Sequence, residues 1–575
     1  MTTEVLGAWG GFLRGELTVD RARAVRMAGM TGCASLLATV FLIYRVPLPA
    51  YGAYVAVMAY QRDTAASLTL SIGALVAAMA AIAFSTLLYL FDVDEPALRI
   101  PVMAIVMFGA MYFSRAPRVG PVLFLCGFVL VVTQTLIDQI PDGETLTHIL
   151  LWLALVILCP CLLVPLVQSI AGRKPKDLFA DGVNERRTRA AATLSLRAEH
   201  APSVSVRELS ALAARLGAPA LNKLAAVLQL EQIAGLRCDE EKDPLHKDLL
   251  HRVELDLTDQ FEHPDQDTGT PLPHPMDGPA QRQSLRFAFK ATLAAMLCYI
   301  LYSGFDWTGI RTSIITCFFV ALGSTGETVH KLSLRIAGAL IGGLLAGLSI
   351  VFLFPVMDDI GGFIVLFACA TLLCMWVATA SPLIAYAGLQ MTFAFYLGVL
   401  QDTGPTDDLT VLRDRLAGIV LGNVVMSLVF STLWPVSTLA SAKAALARCA
   451  RRQAHLLALG QPVASADIVS ATTDLEDASR LAAMAAFDLG VTPDRRAHRP
   501  ALTLPLARVM AWSNAWLHGV STPAPQSASR LDAVAQYLEG RTDAIAHPWP
   551  ADSALPAAMS QAIDALEQET IHARA

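Results

Sequence analysis

The chain has 575 residues, a formal net charge of −6, 54% hydrophobic residues and only 16% charged ones. Soluble globular proteins carry about a quarter of their residues as charges, so this composition, with a mean hydropathy of +0.51, excludes an ordinary soluble protein. No Lys/Arg-rich tract is long enough for a nucleic-acid footprint, so no nucleic-acid partner is expected.

Residues 1–26 contain Glu4, Glu16 and Asp20 ahead of any apolar run and show no cleavage-site pattern, which predicts a retained N-terminus. Residues 27–170 are strongly apolar. Crossing the hydrocarbon core takes about 20 apolar residues as a helix, and charges and prolines divide this block into 27–43, 51–60, 68–91, 100–113, 119–137 and 146–167. Residues 171–286 have the composition of soluble protein, with Leu209, Leu212, Leu216, Leu224, Leu228, Leu230 and Ile233 at near-helical spacing. The Pro-, Asp- and Gly-rich stretch 263–279 reads as a linker. A second apolar block, 287–436, divides into 287–302, 307–322, 332–354, 363–380, 383–400 and 412–433. Residues 437–575 are polar again, with helices expected near 440–460, 466–488, 502–519, 527–541 and 554–572. Twelve spans are therefore expected, with 51–60 and 307–322 short enough to be re-entrant or steeply tilted.

One set of flanks holds Arg14, Arg21, Arg23, Arg26, Arg62, Arg115, Arg118, Arg173, Lys174 and Lys176. The alternate set holds Asp92, Asp94, Glu95, Asp138, Asp142, Glu144, Asp358, Asp359, Asp402, Asp407 and Asp408. By the positive-inside rule the basic set faces the cytoplasm. With an even number of spans per block, the N-terminus, the central domain and the C-terminal domain all lie inside.

The two blocks resemble each other. Arg26 heads the first as Arg286 heads the second; Tyr51-Gly-Ala-Tyr54 matches the aromatic start at Trp307-Thr-Gly-Ile310. A polar break follows in each, Gln61-Arg62-Asp63-Thr64 and Gly323-Ser324-Thr325-Gly326-Glu327-Thr328. Then comes a small-residue helix, Leu68-Thr-Leu-Ser71-Ile against Leu332-Ser-Leu-Arg335-Ile, and later Ser114-Arg-Ala-Pro117 against Thr379-Ala-Ser-Pro382. The expected fold is an all-α integral membrane protein of two parallel six-helix transmembrane repeats, each followed by a cytoplasmic helical domain. In the second repeat Gly338, Gly342, Gly343 and Gly347 stand four apart in pairs, a spacing that lets helix backbones approach closely in lipid.

Charges beside or within the spans are the best functional leads, because burying them in lipid is costly. Arg62 and Asp63 occupy the first polar break, and Glu327, His330, Lys331 and Arg335 the matching place in the second block. Together they read either as an inner gate, with cations for a carboxylate and Asp63 or Glu327 for a coupled proton, or as solvated hairpin tips with positive-inside anchors. Arg311, Arg413 and Arg415 are cations on an otherwise acidic outer face. They either pair with neighbours such as Asp306 and Asp414 or line an anion path, a role suited to the guanidinium fork. Trp376, Tyr386, Phe393, Phe395 and Tyr396 either stack on an aromatic ligand or pack helices. There is no GxxxxGK[ST] loop and no G-x-S-x-G elbow, and Cys159-Pro160-Cys161 has no partner pair for a metal. No catalytic site, metal or cofactor is expected.

The second block resembles the fusaric acid resistance protein family, which includes aromatic acid exporters. The resemblance rests on Asp306-Trp307, the break 323–328 continuing to Lys331, Arg335-Ile-Ala-Gly338-Ala-Leu-Ile-Gly342, Arg413-Asp-Arg415-Leu-Ala-Gly418 and Leu433-Trp434-Pro435. It implies a bacterial inner-membrane exporter of organic, notably aromatic, acids, working in membrane lipid and often beside a periplasmic adaptor protein. A proton gradient is the expected drive. Two other classes remain: a passive organic-anion channel, and a scaffold that binds partners through its soluble domains. Those domains either pack on each other or drive homo-oligomerisation.

Overall fold

The computed structural model describes residues 19–92, 96–116, 120–138, 140, 142–194, 204–239, 244–262, 279–320, 324–381, 383–401, 404–406, 408–460, 463–485, 502–519, 523–542 and 557–572. Glu4, Arg14, Glu16, Asp94, Glu95, Pro117, Arg118, Gly323, Pro382, Asp402, Asp407 and nearly all of the 263–279 linker lie outside the described residues.

The first apolar block gives α1 (Arg21–Ile43), α2 (Pro49–Ala59), α3 (Thr64–Asp92), α4 (Pro96–Phe113), α5 (Gly120–Gln134) and α6 (Gly143–Ala171). The segment after it gives α7 (Pro175–Leu194), α8 (Val206–Leu216), α9 (Ala218–Asp239) and α10 (Pro244–Glu262). The second block gives α11 (Pro279–Gly304), a 3₁₀ turn (Thr308–Arg311), α12 (Thr312–Val320), α13 (Thr325–Leu348), α14 (Ile360–Ala378), α15 (Ala385–Val399) and α16 (Leu409–Thr432). The C-terminal helices are α17 (Thr438–Leu459), α18 (Ser465–Met484), α19 (Thr503–Gly519), α20 (Pro525–Leu538) and α21 (Ala557–His572). Among the described residues the sole extended pairing is a two-residue antiparallel ladder, Leu400 opposite Pro405 and Gln401 opposite Gly404.

Helix starts follow local chemistry. The carboxylates of Asp20, Asp142, Asp359 and Asp408 accept backbone N–H bonds at the starts of α1, α6, α14 and α16, where the helix dipole also favours negative charge. These caps fix the acids at helix ends rather than inside the spans.

The chain forms two compact units. The membrane unit comprises Met1–Lys174, Met276–Gly323 and Thr328–Pro435; the polar unit comprises Pro175–Pro275, Ser324–Glu327 and Val436–Ala575. Among the described residues seven helices are long and apolar enough to cross a membrane, lying in α1, α3, α6, α11, α13 with its continuation, α14 and α16. Leu90, Ile105, Leu151, Ile170, Leu344 and Val365 are exposed, as lipid-facing side chains are. The two segments expected to be short, 51–60 and 307–322, are the short helices of this unit. Helix α2 has 11 residues and α12 has 9, and at about 1.5 Å per residue neither approaches the roughly 30 Å of the hydrocarbon core.

Within the membrane unit α1 packs on α2 and α14, while α11 packs on α12 and α4. Helix α2 packs on α6 and α15, while α12 packs on α16 and α5. The same pairings thus recur with the two blocks exchanged. The turn before α3 is held to the end of α6 by the Thr64 N–H on the Arg173 carbonyl at 3.0 Å and by the Gln168 amide on the Gln61 carbonyl at 2.9 Å.

In the polar unit α7–α10 and α17–α21 share one apolar core, in which Leu209, Leu228, Leu457, Val509, Trp512 and Ile563 are buried. Of the two alternatives left open for these segments, the shared core is the one in which they pack on each other. Arg186 of α7 ties them, bonding Glu231 of α9 at 2.9 Å and Glu476 of α18 at 3.0 Å. Arg530 of α20 sits against Glu567 of α21 at 2.9 Å and also pairs with Asp564. The Glu567 side chain is fully buried, so Glu567→Ala removes two charge-assisted hydrogen bonds, leaves Arg530 only the exposed Asp564, and is expected to cost about 2 kcal/mol. A lowered thermal midpoint of the full chain in detergent checks this.

Candidate functional site

Arg335 lies on α13, nearly three turns past its start, and is only 1% exposed. Its Nε donates to the Thr316 hydroxyl of α12 at 3.2 Å and its Nη1 to the Tyr386 hydroxyl of α15 at 3.1 Å. Its Nη2 is buried with no acceptor, and among the described residues no carboxylate pairs with it. One turn earlier, the Lys331 ammonium stands over the Tyr386 ring at 4.8 Å. Two cations therefore address one tyrosine, one through the ring face and one through the hydroxyl. Tyr54 of α2 is within electrostatic reach of both Tyr386 and Arg335, and its ring packs on Phe393 of α15 at 4.7 Å. The position that the sequence aligns with Arg335 in the first block is Ser71, buried on α3 with its hydroxyl oxygen unbonded.

A second cationic layer lies along α2. Arg415 of α16 meets the Tyr51 hydroxyl and lies within electrostatic reach of Arg311. Tyr51 and Tyr54 are three residues apart, so they share one face of α2 about 4.5 Å apart along its axis. Arg311 also neighbours Tyr302, whose hydroxyl donates to Asp138 Oδ2 at 2.9 Å. Asp138 is held on its other oxygen by Arg99 at 2.8 Å. A buried Arg–Asp pair with tyrosine donors is electrically closed; among the described residues Arg335 has no such acid.

The remaining candidates have local partners. Asp63 is buried and caps α3, accepting the Ala66 N–H at 2.8 Å. Glu327 accepts from the Ser324 hydroxyl at 2.8 Å and from Arg480 of α18 at 2.7 Å, all within the polar unit. Arg413 is exposed and folds onto Asp414 at 2.7 Å, beside the Trp307 ring. Arg62 and His330 are half-buried near the starts of α3 and α13. Gly338 and Gly342 lie where α13 crosses α15: a Cβ on either would overlap the carbonyl oxygen of Ala387 or Met391. Gly343 and Gly347 instead face the side chains of Leu412 and Leu416 at 3.4–3.7 Å.

Sequence reasoning did not single out Thr316, Tyr51 and Tyr54 as site residues, and it placed Asp138 on a flank. The available signal was the pair of tyrosines one turn apart in an otherwise small-residue helix, Tyr51-Gly-Ala-Tyr54-Val-Ala. Arg99, inside the apolar segment of α4, was also passed over.

Comparison with known proteins places this geometry in context. Residues 294–430 match the model of the family described as fusaric acid resistance protein-like, a stretch that holds Thr316, Arg335, Tyr386 and Arg415. The chain is 24% identical over 473 residues to multidrug resistance protein MdtO of Escherichia coli strain K12, covering 71% of this chain and 68% of that protein. The protein of the same name from Escherichia coli O157:H7 is 25% identical over the same length and coverage. That from Shigella flexneri is 40% identical over 154 residues, 27% of this chain and 23% of the relative. No solved structure matches the chain significantly. Residues 294–430 therefore carry a fusaric acid resistance protein-like domain, and the chain is a multi-pass membrane protein related to that family.

Proposed function

We propose that this protein is an inner-membrane efflux transporter for organic anions, aromatic carboxylates foremost, with Arg335 as the residue that holds the carboxylate. The observation carrying this reading is a fully buried guanidinium with an unpartnered N–H and, among the described residues, no acid beside it. Keeping such a charge out of water costs several kcal/mol unless a counter-charge arrives. A carboxylate placed there completes the fork, and Tyr54, Phe393 and Tyr386 offer ring faces to an aromatic body. Arg311 and Arg415 form the next station along α2, with Lys331 on the inner side. The names of the relatives, multidrug resistance and fusaric acid resistance, support export as the direction.

The architecture we propose is two parallel repeats with both chain ends and the polar unit cytoplasmic. It is supported by the exchanged packing pairs and by the basic flanks. Arg62, Asp63, Glu327 and His330 belong to the inner mouth on this reading, and Arg413 to the outer one.

A passive anion path is the second reading, because Asp63 and Glu327 are engaged as a helix cap and an ion pair. An inside-negative potential drives an anion outward by about 2.3 kcal/mol per charge per 100 mV without any coupled proton. Uptake of labelled p-hydroxybenzoate into inverted vesicles containing the full chain separates these readings. Accumulation with an imposed pH gradient at zero potential is the expected result. Accumulation with potential alone supports the passive path, and no uptake of any aromatic carboxylate under either gradient overturns both.

A further inference from the structure

At one corner of the membrane unit three cationic side chains converge on three aromatic rings. Lys290 of α11 is buried, its ammonium donating to the Trp434 carbonyl at 3.3 Å and lying 4.6 Å from the Phe430 ring centre. Arg286, one turn earlier, stands over the Trp434 ring at 5.6 Å, and Arg115, beyond the end of α4, over Phe287 at 4.2 Å. Arg115 and Arg286 are both within electrostatic reach of Lys290. Among the described residues no carboxylate pairs with Lys290 or Arg286.

Two helices, α4 and α16, end here, and each C-terminus supplies about half a negative charge. Against the two full positive charges of Lys290 and Arg286 alone, that leaves the corner positive. The ammonium of Lys290 has three N–H groups and, among the described residues, a single hydrogen-bond acceptor. At the counterpart corner, where α1 meets α14, Arg23 donates to the Trp376 carbonyl and, at 3.1 Å, to the Thr379 hydroxyl. Around the positive corner Phe113, Leu285, Phe289 and Trp434 are exposed apolar surface at the ends of membrane helices.

We infer that Lys290, Arg286 and Arg115 form a binding site for the phosphate of an anionic phospholipid, with Phe289, Trp434 and Leu285 against its acyl chains. The chemistry recognised is a phosphate monoanion; the apolar rim selects the lipid over free phosphate. Basic residues at this level each strengthen anionic-lipid binding about fivefold.

Native mass spectrometry of the full chain in detergent, titrated with phosphatidylglycerol or phosphatidylcholine, tests the site. One phosphatidylglycerol should be retained in preference to phosphatidylcholine and should resist excess inorganic phosphate. The double variant Arg115→Gln/Arg286→Gln should bind it about twenty-five-fold more weakly. Both arginines are exposed, so the fold should tolerate the change. Arg21→Gln, exposed at the start of α1, should leave retention unchanged. Equal retention by the native and double-variant chains, or displacement of the lipid by inorganic phosphate, overturns the proposal.

Discussion

Replacing Arg335 with methionine is expected to abolish organic-anion flux while holding or raising the thermal midpoint of the protein. The two effects have one cause. Arg335 is a buried charge that, among the described residues, bonds to Thr316 and Tyr386 and to no acid. Exchanging buried ionic groups for apolar ones of similar volume is commonly neutral or stabilising by about 1–4 kcal/mol. Methionine retains much of the volume and none of the charge, so the fold relaxes while the anion loses its anchor. Arg335→Lys separates charge from geometry: it keeps the cation but not the planar fork that binds a carboxylate through two N–H groups. Weak residual flux is expected from it, with reduced affinity. Flux assays in vesicles and thermal denaturation in detergent provide the two readouts. A methionine variant that still transports removes Arg335 from the path, and one that unfolds makes the guanidinium a structural element.

The second large effect concerns the crossing of α13 and α15. A valine at position 342 is expected to prevent accumulation of folded protein, whereas Gly343→Ala and Gly347→Ala are expected to be well tolerated. A Cβ at 342 would collide with the Met391 carbonyl oxygen and come within 2.8 Å of the Met391 Cα, both backbone atoms that cannot rotate away. The helices would have to separate, and overpacking of this kind costs about 1–3 kcal/mol even where neighbours yield. At 343 and 347 the nearest atoms are the ends of leucine side chains at 3.4 and 3.7 Å, which can shift. Size-exclusion profiles of the three variants in detergent check the contrast. Equal tolerance at 342 and 343 would mean that the crossing is looser than its geometry implies.

The two glycine pairs look identical in sequence, and only the helix phase tells them apart. The same holds for the cations. Arg413 and Arg415 stand side by side at the start of α16, yet two residues rotate a helix by about 200°. One guanidinium is thereby turned outward onto Asp414 and the other inward to Tyr51. Composition showed that a charge was present; it did not show which charge was left without an acid. Helix placement was far more legible: the helix expected near 466–488 is Ser465–Met484, and that expected near 502–519 is Thr503–Gly519. Apolar periodicity and proline breaks carry that information locally. The pairing of Glu327 with Arg480 across 153 residues, or of Arg186 with Glu476 across 290, has no local signature. The shortness of 51–60 and 307–322 was legible from the polar breaks around them; what was not is the 3₁₀ turn, Thr308–Arg311, that takes up the start of the second.

The aligned positions Ser71 and Arg335 are a hydroxyl in one half and a guanidinium in the other. On the proposed reading, a buried guanidinium without an acid in one half, matched by a hydroxyl in the other, makes one innermost berth for cargo, whatever the likeness of the halves. Turnover then rises with cargo concentration as a simple hyperbola, with a stoichiometry of one per cycle. The half with the hydroxyl serves as the fixed frame against which the loaded half works, so a likeness of form is compatible with an unequal division of labour.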